Sequence, residues 1–151
     1  MKEVGPGPLM LDTSALYAVF DRDDHWHGVT AEAWGEVLHS QAPLLVTNYV
    51  LVEMHALLGR RLGVAAVAAL HDHVLPWVST VWVDESLHRE AQSALRVACR
   101  RDLSLVDCTS FVCMRRLGVK TAFTIDRHFE QQGFEVVPRP ERRSRGSQRP
   151  H

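Results

Sequence analysis

No apolar run in the chain approaches the length of a membrane-spanning helix. Residues Met1 to Pro8 lack the basic start and apolar stretch of a secretory signal. Cysteine is scarce: Cys99, Cys108 and Cys113 form no CxxC pair. An odd count without that spacing fits a reduced, cytoplasmic protein better than a disulfide framework. No internal repeat is visible, which sets solenoid arrays aside.

What remains is an ordinary soluble composition. The 151 residues are 46% hydrophobic and 23% charged, enough for one domain with a proper core. The formal charge of −1 is unevenly spread. Residues 139–151 hold five arginines and one glutamate, a local +4 that leaves −5 on residues 1–138. The segment 139–151 has no periodicity and is rich in Arg, Ser, Pro and Gly, so a disordered basic tail is expected after a folded domain over 1–138.

Short apolar runs alternate with helical patterns. Strands are expected at Leu9 to Leu11, Leu44 to Val46, Ser79 to Val83, Thr121 to Ile125 and Phe134 to Val137. Helices are expected at Ala15 to Phe20, Trp26 to Leu38, Asn48 to Leu62, Val64 to Leu75, Ser86 to Arg101, Ser104 to Leu117 and Asp126 to Gln132. Such alternation argues for βαβ units: an α/β fold with a mostly parallel sheet of four to five strands, covered on both faces.

The chain is organised around Leu9-Met10-Leu11-Asp12-Thr13-Ser14, a buried-looking strand running into an acid and two hydroxyls. Open α/β sheets bind ligands at that edge. Asp126 stands in the same place after the fourth strand. Asp107 follows Ser104 by three residues, the spacing of a capping box. Each aspartate alone reads as a helix cap. Glu53 is harder to explain that way. Its neighbours one turn away are Tyr49, Val50, Ala56 and Leu57, with no Lys or Arg in reach, so it projects from an apolar face where a carboxylate needs a partner. Four acids brought together without cations would repel. Hard cations take oxygen ligands, so Asp12, Glu53, Asp107 and Asp126 are expected to hold a divalent metal ion. The nine histidines are scattered and read as surface or packing residues.

The segments LDTSAL, TNYVLVEMHALL, LSLVDCTSFVCMRRLGV and TAFTIDRHFEQQGFEVVP resemble the PIN-domain nucleases, and among them the small VapC-type toxins. The resemblance covers about Leu9 to Pro138. It implies a PIN-like three-layer α/β/α sandwich and a Mg²⁺- or Mn²⁺-dependent endoribonuclease, the toxin of a type II toxin–antitoxin pair. It places Asp12, Glu53, Asp107 and Asp126 on the family's acidic positions, and Ser14 and Thr124 on polar positions lining such sites. It further implies a homodimer and a cognate antitoxin; helix Val64 to Leu75 is one surface for such contacts, or else core. Arg127, Arg60, Arg61, Arg115 and Arg116 are candidates for contacts to RNA phosphates, or else solvated surface. Two rival readings are weaker. A phosphorylated receiver-like domain needs paired acids near the first strand and a late lysine, but Asp12 has no acidic neighbour and Lys120 precedes the fourth strand. A catalytically inactive PIN-like RNA- or protein-binding module conflicts with four intact acids.

Overall fold

A computed structural model describes residues 6–140. Five short strands form one sheet: β1 (Leu9–Leu11), β2 (Leu44–Thr47), β3 (Val78–Val81), β4 (Thr121–Phe123) and β5 (Glu135–Val137). Their order is β3-β2-β1-β4-β5, and every pairing is parallel. The order reverses between β1 and β4, which makes that crevice the switch point where such sheets bind ligands.

The helices are α1 (Thr13–Phe20), α2 (His27–Ser40), α3 (Asn48–Arg61), α4 (Val64–Ala69), α5 (Glu85–Ala98), α6 (Leu105–Leu117) and α7 (Arg127–Gln131). Strand alternation sorts them into two layers. Leu9 and Leu11 point into a core with α1, α2 and α3, including Leu16, Trp34, Met54 and Leu58. Met10, between them, points the other way, into a core with α5, α6 and α7 that holds Leu87, Phe111, Met114 and Phe129. This is the expected three-layer α/β/α sandwich, with all five strands parallel.

Several boundaries differ from the sequence expectation, each for a local reason. Helix Val64 to Leu75 is not one α-helix. After Ala69 it widens into a π-turn over Leu70–Val74 and tightens into a 3₁₀ turn over Leu75–Trp77. Pro76 has no N–H to donate, and its ring crowds the carbonyl one turn earlier. The segment is mostly surface: α4 has no buried residue, while Leu70 and Val74 anchor the π-turn to the core. Strand β3 stops at Val81 rather than Val83 because Asn48 Oδ1 accepts the Val83 N–H at 2.7 Å. Helix α5 stops at Ala98, short of Arg101, with Cys99 in a left-handed cap at φ 49°. Helix α6 closes on Gly118 at φ 68°, where glycine alone is unstrained. The tail expected over 139–151 lies, from residue 141 onward, outside the described residues.

Candidate metal and RNA-cleavage site

Strand β4 ends at Phe123, two residues short of the expected Ile125. Beyond it, side chains take over from the sheet. The Ile125 N–H donates to Ser14 Oγ at 3.1 Å, and the Asp126 N–H donates to Thr124 Oγ1 at 2.9 Å. Ser14 Oγ and Thr124 Oγ1 both donate to Asp12 Oδ2, at 2.6 and 2.8 Å. The Asp12 N–H itself bonds the Phe123 carbonyl at 3.0 Å. The ends of β1 and β4 are thereby laced together around one carboxylate. Ser14 and Thr124 touch Asp12 directly; their place in the site is that of orienting it.

Asp12 is only 3% exposed. Burial raises its pKa from 3.8 to about 7; the Ser14 and Thr124 hydrogen bonds oppose the rise, and the charges of Asp107 and Asp126 add to it. Burial also raises Asp107, opposed by the Ser104 backbone bond and reinforced by Asp126. Three aspartates therefore feel one another across the crevice.

The capping readings hold as well. Asp12 caps α1, accepting the Ser14 N–H at 3.4 Å. Asp126 caps α7, accepting the His128 N–H at 2.9 Å. Asp107 and Ser104 form a reciprocal capping box, both bonds at 3.1 Å. Capping and ligation do not compete here. In each acid the cap occupies one oxygen: Oδ2 of Asp12 and Asp107, Oδ1 of Asp126. The other oxygen accepts no hydrogen bond among the described residues. The caps fix each side chain and leave one oxygen per acid for a cation.

The tightest grouping contains a residue that the sequence reading leaves among the scattered histidines. One ligand atom each from Asp107, Asp126 and His128 lie within 4.8 Å of one another. His128 follows Asp126 by two positions, the spacing at which a cap turn folds back on its own carboxylate. That spacing is legible in the sequence; the scatter of nine histidines hides it. The donor set fits a divalent ion, and the buried Nδ1 of His128, which has no aligned hydrogen-bond partner, is the kind of atom such an ion satisfies.

Glu53 is placed differently from the expectation. The buried positions of α3 are Val50, Met54 and Leu58, and Glu53 stands half-buried on the shoulder of that face beside exposed Ala56. A half-buried acid keeps part of its hydration, so burial alone does not demand a partner for it. Neither Glu53 nor Asp12 is in the three-residue grouping. Of the arginines, Arg127 is exposed at the start of α7. Arg116 is engaged by Glu90 and Ser86, Arg115 by Gln132, and Arg61 lies over the Tyr17 ring.

Comparison with known proteins settles the family. The PIN domain model matches residues 9–135. The chain belongs to the PIN-domain family. This PIN domain is 36% identical over 135 residues to a Mycobacterium tuberculosis protein named 23S rRNA-specific endonuclease VapC20, spanning 88% of this chain and 99% of the relative. The crystal structure of Mycobacterium tuberculosis VapC20, titled a sarcin-ricin loop cleaving toxin, superposes with a TM-score of 0.75 at 35% identity, covering 87% of this chain and 99% of that one. FitAcB from Neisseria gonorrhoeae shares the fold, with a TM-score of 0.61 at 14% identity over 85% of this chain and 95% of its own.

Proposed function

We propose that this PIN-domain protein is an endoribonuclease, the toxin of a type II toxin–antitoxin pair, and that it works in the cytoplasm with a divalent metal ion, Mg²⁺ or Mn²⁺. The observation that carries the reading is the meeting of Asp12, Asp107 and Asp126 at the β1–β4 switch point, each with one oxygen fixed and one free. Asp107 and Asp126 would hold the ion, with Asp12 beside them under the Ser14–Thr124 clamp and Glu53 of α3 as the fourth acid. When bound, the ion supplies an activated water and neutralises charge on the phosphate.

This chain's own residues do the rest. The clamp holds Asp12 in one rotamer, and the caps hold Asp107 and Asp126. Arg127, exposed on the first turn of α7, contacts the RNA backbone. The acidic balance of the domain is locally reversed once the cation is seated. The 36% identity to VapC20 over nearly its whole length supports structured ribosomal RNA as the first substrate to offer. The family also supports a homodimer and an antitoxin segment laid across the crevice.

The test is cleavage of 23S rRNA by the purified chain with Mn²⁺, with Mg²⁺ and with EDTA. Discrete products with metal, and none in EDTA or with Asp12→Asn, support the reading. Undiminished cleavage in EDTA overturns it.

A further inference from the structure

Each ring nitrogen of His128 faces an aspartate, and only one of the two contacts is a hydrogen bond. Nε2 lies 2.8 Å from Oδ2 of Asp102, in the loop between α5 and α6. Arg100 in turn grips Asp102 through Nε at 3.3 Å and Nη2 at 3.2 Å, and its Nη1 donates to Gln131 in α7. The next residue, Phe129, is fully buried and packs edge-on against Phe111 of α6, which fixes the turn. The ring is therefore set from outside by a carboxylate and from below by the core.

At the other end, Nδ1 lies 2.7 Å from Asp126 Oδ1 but out of line for a hydrogen bond. The His128 side chain is 14% exposed. With Nε2 engaged by Asp102, the ring turns Nδ1 toward Asp126, inside the grouping that Asp107, Asp126 and His128 form within 4.8 Å. Metal-binding histidines show this arrangement: one nitrogen on the ion, the other donating to a carboxylate that fixes the tautomer.

We propose that His128 Nδ1 is a ligand of the metal, beside Asp107 and Asp126, and that Asp102 is its positioning residue. The proposal rests on the metal-site reading above and refines it: the shell is mixed nitrogen and oxygen instead of all oxygen. Imidazole suits Ni²⁺ and Zn²⁺, whereas Mg²⁺ favours oxygen donors alone. The site therefore selects transition ions over Mg²⁺, and His128 is the residue that makes it do so.

The experiment is metal binding by the full chain, without RNA. Mn²⁺ is bound and examined by pulsed EPR for nitrogen modulation, and Ni²⁺ and Mg²⁺ affinities are measured by calorimetry. The expected result is nitrogen modulation in the wild type and its loss in His128→Gln. The Ni²⁺-to-Mg²⁺ affinity ratio should fall about tenfold in His128→Gln, with a smaller fall in the same direction in Asp102→Asn, which keeps the ligand and loosens its orientation. Bound Mn²⁺ without nitrogen modulation overturns the proposal, as does an equal loss of Ni²⁺ and Mg²⁺ affinity in His128→Gln. If His128→Gln fails to fold, the wild-type spectrum and the surface variant Asp102→Asn still decide. Failure of the wild type to bind any of the three ions would instead remove the metal-site reading itself.

Discussion

The two halves of the sheet end their strands by the same device and to different effect. At the β2–β3 edge, Thr47 caps α3 by accepting the Val50 N–H at 3.2 Å, and Asn48 takes the Val83 N–H. Every group in these bonds is neutral, and each finds its partner within the chain. At the β1–β4 edge, Ser14 and Thr124 perform the equivalent service, but the group they serve is a buried acid with two more acids near it. One edge is finished by folding. The other gathers three acids, and the charges of Asp107 and Asp126 add to the raised pKa of buried Asp12. Functional sites are where local consistency gives way, and this edge is such a place.

The largest effect expected of any substitution comes from that contrast. Asp12→Asn keeps the oxygen that Ser14 and Thr124 bond but removes the charge. Loss of metal-assisted stabilisation worth several kcal/mol corresponds to a fall in RNA cleavage of roughly three orders of magnitude. Single-turnover assays on 23S rRNA with Mn²⁺ measure it; the Thr47→Val variant at the other edge should retain wild-type activity within about threefold, having no charge to lose.

The next effect is on stability, in EDTA. The folded-state pKa of Asp12 is raised from 3.8 to about 7, so the folded chain binds a proton that the unfolded chain releases. Its favourable contribution is full below pH 3.8 and is lost as pH rises through about 7. Asp107 is shifted the same way by burial. Asp12→Asn should thus be more stable than wild type at pH 8, by an amount on the order of a few kcal/mol, and no more stable near pH 4. Denaturant melts at the two pH values give the difference of differences.

Smaller still are the two threonines. Thr47→Val should cost about 1 kcal/mol, the scale of a lost N-cap, equally at all pH values and with or without metal. Thr124→Val removes one of the hydrogen bonds that restrain the Asp12 pKa. Its cost should grow with pH across the same window and shrink when Mn²⁺ is present. If both variants show one flat, metal-independent cost, the two edges are alike after all.

The smallest change is assigned to Glu53. Being half-buried on the shoulder of α3, Glu53→Gln should alter metal-free stability by no more than about 0.5 kcal/mol, while still lowering cleavage. A stability change comparable to that of Asp12→Asn would place it inside the strained group.

The β1–β4 edge is legible in the sequence because its signals are local. An apolar triplet ending in Asp12, and another ending near Asp126, mark strand ends whatever the tertiary packing. The Ser104–Asp107 spacing announces its own capping box. Parallel order can be inferred from alternation, but the switch point cannot, since it depends on β4 inserting beside β1 across more than a hundred residues. Glu53 is read from helical periodicity alone, which cannot tell the centre of a buried face from its shoulder. His128 escapes the sequence reading because its partner Asp102 is 26 residues away, and only the packing of α7 on α6 brings them together. The π-turn at Leu70–Val74 is hidden for a similar reason: the effect of Pro76 reaches back a turn into a segment whose composition is helical throughout.

The central claim is that three capped aspartates form a metal site that strains the fold when empty. Thermal melts of wild type, Asp107→Asn and Asp126→Asn, in EDTA and in Mn²⁺ at pH 8, test it most directly. Neutralising either acid should leave the melting temperature in EDTA equal to or above that of wild type. Mn²⁺ should raise the wild type more than either variant, because an ion that binds only the native state shifts unfolding by mass action. If instead both variants melt lower in EDTA and Mn²⁺ moves none of the three, these residues are helix caps and nothing more.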